Sequence, residues 1–214
     1  MTAATKPKVK APLVLTLLKQ HYPDAHCALK HKNPFELLVA TILSAQCTDE
    51  RVNKVTPALF KKFPNAQSLA KAQASEVEEL IRSTGFFNNK TKNLISCAQT
   101  LMEKFKGELP KTLAEMITLA GVGRKTANVV LGNSFGLASG VVVDTHVGRL
   151  SQRLGWSKFQ DPIKIELDLM KLFAEKEWIM IPHYLIYHGR QICSARSPAC
   201  ERCFLFDHCP KNGV

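Results

Sequence analysis

The sequence predicts an all-α fold, and three observations carry that expectation. Apolar residues recur at helical spacing along most of the chain, and prolines repeatedly stand just ahead of such stretches. The one β-branched run, "GVVVDT" at 140–145, is too isolated to build a sheet. Ordinary helix lengths allow about ten short helices.

Taken in order, Pro12, Pro34, Pro110 and Pro162 each precede an apolar-periodic stretch, where a missing N–H does no harm to a first helical turn. "NLISCAQTLMEKF" sets Leu94, Ala98, Leu101 and Phe105 on one face, the pattern of a core-facing helix. "TLAEMITLA" is expected to do the same with Leu113, Met116, Ile117 and Ala120. "GVG" at 121–123 then interrupts, and a second helix is expected from about Arg124 to Gly132 or a little beyond. The valines of "GVVVDT" read as an extended connector, and Asp144 stands where an N-cap would open a helix near Thr145. No internal repeat or low-complexity block is present, and periodicity alone does not divide the chain into domains.

Composition narrows the partner. Lys+Arg 29 against Asp+Glu 18 gives a net charge of +11, which favours a polyanion, nucleic acid before an anionic membrane surface. No apolar run approaches the roughly 18–20 residues of a membrane span. The N-terminus, with Lys6, Lys8 and Lys10, lacks the apolar centre of a signal peptide and reads as a solvated basic arm. Of seven cysteines, Cys27, Cys47 and Cys97 are expected to be small buried side chains. The other four crowd into the spacing Cys193-x6-Cys200-x2-Cys203-x5-Cys209 and read as metal ligands. On ligand chemistry alone they suit a tetrahedral zinc or a [4Fe–4S] cluster equally.

The stretch "LAGVGRKTANVV" poses the chemical question. Gly121 and Gly123 can take positive φ without a Cβ clash, which lets the chain reverse and leaves outward N–H groups beside a helix start. Such a turn suits a backbone phosphate, which positions a protein without reading sequence. Lys125 falls in the first helical turn, the unfavourable end of the dipole for a cation, with Arg124 beside it. Partial burial would push the same way, and an amine that sheds its proton readily can act as a nucleophile. A phosphate-binding or solvated lysine is the simpler alternative for this window alone.

"LAGVGRKTANVVL" followed by "VVVDTHVGRL" resembles the helix-hairpin-helix and aspartate loop of the endonuclease III family of DNA glycosylases, and the four-cysteine C-terminal loop resembles that family's too. The resemblance runs from "NPFELLVATILSAQCTDERVN" to the last cysteine. It implies two helical lobes, residues 28–136 with the hairpin, and residues 1–27 plus 137–214 with a [4Fe–4S] cluster held by Cys193, Cys200, Cys203 and Cys209. It implies a bifunctional glycosylase and abasic-site lyase of base excision repair that removes oxidised pyrimidines. Lys125 would attack C1′ and form an imine, and Asp144 would stabilise the developing sugar cation and help Lys125 lose its proton. Gln46 would fill the gap left by the flipped nucleotide, and Phe86 would wedge the opposite strand, with core packing as its alternative. Gly121, Gly123, Arg124 and Arg196 would meet DNA phosphates, while Ser44 and Asp49 would line the base pocket. Lys90 and Lys92 would face phosphates or solvent, and His146 would make a structural hydrogen bond. The partner implied is double-stranded DNA with damaged bases or abasic sites, met by a monomer in the cytoplasm at the nucleoid, with no membrane. Two departures stand out: Ala120 replaces the family's usual hairpin proline, and "ARSPAC" carries fewer basic residues than relatives often do. An adenine-specific mismatch glycosylase, which typically lacks the hairpin lysine, and a non-catalytic DNA-binding module are the competing readings.

Overall fold

The structure, a computed structural model, describes residues 11–214, so the basic arm at Lys6, Lys8 and Lys10 lies outside the described residues. Among the described residues there are eleven α-helices and no strand. They are α1 (Ala11–His21), α2 (Pro34–Leu43), α3 (Asp49–Lys62), α4 (Ala66–Ala70), α5 (Ala74–Ile81), α6 (Phe87–Phe105), α7 (Leu113–Met116), α8 (Arg124–Phe135), α9 (Thr145–Arg153), α10 (Pro162–Leu172) and α11 (Ile181–Gln191). The chain divides into two compact units, residues 27–139 and residues 11–26 with 140–214.

In the first unit α2 is the central element. Pro34 opens it, and the Asn33 side chain caps it by accepting from the Glu36 N–H at 2.9 Å. Every residue from Phe35 to Leu43 is buried; the two polar ones are satisfied, Thr41 donating to the Leu37 carbonyl and Glu36 accepting from the Lys32 N–H, each at 2.7 Å. The long α6 packs Leu94, Cys97, Ala98 and Leu101 into the same core, with Phe105 half-buried at its edge, close to the face expected. Each fully buried leucine here contributes about 2 kcal/mol.

The stretch before the hairpin departs from the expected pattern. α7 spans one turn and is capped by Thr112, which accepts from the Glu115 N–H, so Pro110 precedes the cap rather than entering the helix. Because the helix stops at Met116, helical spacing fails beyond it. Ile117 is 50% exposed, and Leu119 enters the core in its place. The scattered cysteines also differ. Cys97 is buried, and burial pushes its thiol up to about 12, but Cys27 and Cys47 are only half-buried.

In the second unit Val14 and Leu18 of α1 share a core with Val147, Leu150, Leu169 and Leu185 from α9, α10 and α11. Trp156 meets Phe173 edge-on at 5.0 Å between ring centres. Pro162 opens α10 behind an Asp161 cap, and Pro12 lies in the first turn of α1. Val141 and Val143 are buried while Val142 is half-buried, the alternation of an extended connector leading into α9.

Candidate functional site

The hairpin joins α7 to α8, and its two glycines differ. Gly121 has φ +75°, and a Cβ there would meet Cβ of Asn93 at 3.0 Å, so glycine is required twice over. Gly123 has φ −89° and ψ 174°, ordinary extended backbone, so the positive φ open to it is not used. A Cβ on Gly123 would meet nothing within 4 Å. Nothing within the chain therefore demands glycine at 123; what the missing Cβ clears is the approach from outside. Gly123 also gives α8 no side-chain cap, whereas Asn33, Thr48, Asn65, Thr112, Asp144 and Asp161 each cap their own helices. An uncapped helix N-terminus of this kind can bind an anion through its backbone N–H groups. Arg124 and Lys125 form the first turn of α8, and both are exposed.

Two further loops of this unit carry sequence-predicted residues. Ser44 ends α2 with its hydroxyl donating to the Thr41 carbonyl at 2.8 Å, and Asp49 begins α3 half-buried. Between them Gln46 is exposed with φ +53°. Phe86 precedes α6 with φ +49° and is 64% exposed, which removes the core-packing alternative. A left-handed backbone costs a bulky residue about 1–2 kcal/mol. An exposed aromatic held in that state gains nothing from burial to offset it. Phe87, next in line, packs instead beneath the Arg82 guanidinium at 5.1 Å. Lys90 does not face phosphate or solvent. It is 4% exposed, its Nζ donates to the Thr84 carbonyl at 2.9 Å, and burial pulls its pKa down.

Asp144 lies in the other unit. It caps α9 by accepting from the Val147 N–H at 2.8 Å, with its backbone extended at φ −102°. A carboxylate at this helix end is favoured by the dipole. His146 interacts through Nδ1 with Arg149 at 3.2 Å, the structural role expected of it. His183 feels the Asp144 charge, yet burial, helped by His26, lowers its pKa to about 4.

The four C-terminal cysteines line one cavity, walled by Leu150, Leu154 and Leu205. Among the described residues no three His, Cys, Asp or Glu side chains converge on a single ion position. Four thiols around one cavity suit a cluster that offers each sulfur its own iron. Burial first, then the neighbouring sulfurs, push the Cys203 and Cys209 thiols up. Four thiolates persist together here only against a positive counter-charge, which a bound metal centre would supply. His208 is exposed and outside the cavity wall, and Arg196 is exposed on the loop.

Sequence reasoning missed the groups that hold this loop. Arg153, 6% exposed, donates to the Cys193 sulfur at 3.2 Å and to the Ser194 and Ala195 carbonyls at 2.7 and 2.9 Å. His188 approaches the Cys203 sulfur at 3.5 Å through Nε2, and its Nδ1 pairs with the Tyr22 hydroxyl at 3.0 Å. Burial lowers the His188 pKa to about 4, so the ring is neutral at pH 7.

Residues 39–175 match the family model of the HhH-GPD superfamily base excision DNA repair proteins, and residues 193–209 that of the iron-sulfur binding domain of endonuclease III. The chain is 56% identical over 203 residues to endonuclease III of Synechocystis sp., covering 95% of this chain and 93% of that protein. Its identity to endonuclease III of Bacillus subtilis is 42% over 189 residues, 88% and 86% of the two chains. A solved structure of a trapped endonuclease III–DNA covalent intermediate, the estranged-adenine complex, aligns with TM-score 0.90 at 42% identity, over 97% of this chain and 98% of its own.

Proposed function

The chain belongs to the HhH-GPD superfamily of base excision DNA repair proteins, and from that premise we propose that Lys125 is the nucleophile of a bifunctional DNA glycosylase and abasic-site lyase. The observation that carries this reading is the exposed Lys125 in the first turn of a helix whose start bears no side-chain cap. The backbone donors of that turn hold a DNA phosphate, which brings the lysine to the sugar next to it. The likeness to an endonuclease III trapped covalently on DNA supports the same chemistry.

Lys125 Nζ, as the free amine, adds to C1′ of a nucleotide that has left the stack while the C1′–N bond breaks and the base departs. The ring opens to an imine between Lys125 and C1′. Loss of a C2′ proton then expels the 3′ phosphate by β-elimination, and water releases the lysine. Asp144 stabilises positive charge on the sugar as the base leaves and assists deprotonation of Lys125. Its hydrogen bond from the Val147 N–H fixes the carboxylate for that task. Gln46 fills the vacated stack, and Phe86 wedges the opposite strand. Gly121, Gly123, Arg124 and Arg196 meet phosphates, and Ser44 and Asp49 line the base pocket.

The protein carries an iron–sulfur domain with a [4Fe–4S] cluster, for which Cys193, Cys200, Cys203 and Cys209 are the proposed ligands. When bound, the cluster cross-links a loop too short to build a core of its own. Arg153 and His188 orient that loop through its carbonyls and sulfurs.

The substrate is double-stranded DNA bearing an oxidised pyrimidine or an abasic site, engaged by a monomer at the nucleoid. No helix among the described residues is long and apolar enough to cross a membrane. Single-turnover assays on a panel of single-lesion duplexes test the reading. Oxidised pyrimidines should be excised fastest, with strand cleavage following at the same site. Excision that leaves abasic sites intact would contradict the lyase half of the proposal.

A further inference from the structure

Lys90 grips the chain on both sides of the Gly85–Phe86 pair. Its backbone N–H donates to the Phe86 carbonyl at 3.0 Å, closing the first turn of α6. Its ammonium reaches back to the Thr84 carbonyl at 2.9 Å. Thr84 is itself buried and anchored, its hydroxyl donating to the Ile81 carbonyl at 2.8 Å. Between these two grips the backbone is left-handed twice in succession, at Gly85 with φ +70° and Phe86 with φ +49°.

A buried lysine is an unusual choice for mere packing. Lys90 is 4% exposed and has no ion-pair partner among the described residues, so its charge is desolvated without a carboxylate to compensate. A methionine would fill the same space at no such cost. What methionine lacks is a charged donor for a carbonyl inside the turn, and charge-assisted hydrogen bonds are the stronger kind. The ammonium also feels the Cys47 thiol, which directly follows Gln46. Gln46, like Phe86, is exposed with a left-handed backbone.

We propose that Lys90 is a positioning residue for duplex opening: its clamp on the Thr84 carbonyl holds Phe86 in its protruding pose, and through Phe86 it governs entry into the base stack. This rests on the reading of Phe86 as a wedge. Lys90 touches neither sugar nor phosphate, so its loss affects the opening of paired DNA and not the bond-breaking steps.

The test compares full-chain, cluster-loaded protein with Lys90→Met, Phe86→Ala and the double variant. 2-Aminopurine beside the lesion reports unstacking, and single-turnover excision from a paired duplex reports the consequence. Lys90→Met is expected to lower the fluorescence rise and to slow excision about tenfold. Strand cleavage at an abasic site in single-stranded DNA, which needs no opening, should stay within about twofold of the parent. Phe86→Ala should lose opening similarly, and the double variant should be no worse than Phe86→Ala alone. Should Lys90→Met not fold, Lys90→Gln carries the test, since its amide falls one atom short of the Thr84 carbonyl; about a threefold loss of opening is expected. Parental opening in the Lys90 variants alongside a defective Phe86→Ala would overturn the clamp and leave the wedge standing. Parental opening in Phe86→Ala would remove the wedge and the clamp together. Equal slowing of both substrates by Lys90→Met would reduce Lys90 to general stability and overturn the proposal.

Discussion

Two helix starts carry the proposed chemistry, and they are built in opposite ways. α8 begins at Gly123 with no side-chain cap and two exposed cations in its first turn, an arrangement that costs stability at the positive end of a dipole. α9 begins at Asp144 with a good cap and a carboxylate at the end that favours it. The difference separates roles. The fold gains nothing from the design at α8, and the proposed DNA phosphate would account for its bareness, whereas in the proposed mechanism Asp144 serves fold and chemistry at once.

The largest expected effect breaks the comparison at α8. Lys125→Ala should lower single-turnover excision by about 10⁴-fold or more while duplex affinity changes little, because the exposed side chain supports no packing. Comparable loss of binding would make Lys125 a phosphate contact only. At α9, Asp144→Asn keeps a cap-competent oxygen and removes the charge. Excision should fall by about 10²–10³-fold with the melting temperature nearly unchanged, as a thermal melt beside the kinetics would show.

Acid sharpens the α9 side. His183 titrates near 4 when folded against 6.5 when unfolded. The unfolded chain thus binds the extra proton, and the stability His183 contributes is present above pH 6.5 and lost as pH falls towards 4. The loss is on the order of 3 kcal/mol, and His183→Gln should flatten that part of a denaturation-versus-pH curve. The two hairpin glycines give the smallest effects. Gly121→Ala should destabilise the first unit by about 2 kcal/mol, from its left-handed backbone and the Asn93 contact. Gly123→Ala should leave stability within about 0.5 kcal/mol yet weaken duplex binding about tenfold, measured by anisotropy titration. Equal affinity would remove the phosphate from the α8 start.

The sequence was a good guide wherever a local rule governed. Helical spacing placed Leu94, Ala98 and Leu101 in the core, and a glycine turn located the start of α8. Crowding alone marked Cys193, Cys200, Cys203 and Cys209, which line one cavity. It failed where tertiary context overrides residue type. Lysines are solvated so consistently that nothing local marks Lys90 as buried. Arg153 and His188 meet the cysteine loop from positions 40 and 15 residues away along the chain, a distance no motif encodes. Ile117 and Leu119 exchanged places because α7 ends one turn earlier than its apolar pattern suggests. Gly123 does not use the positive φ that glycine permits; its missing side chain matters for space, which only the structure displays.

Borohydride reduction during turnover, followed by peptide mapping of the protein–DNA adduct, tests the central claim most directly. The account predicts one reduced C–N linkage, carried by the Nζ of Lys125 and absent from Lys125→Ala. An adduct on another residue, or an undiminished adduct in Lys125→Ala, would contradict it.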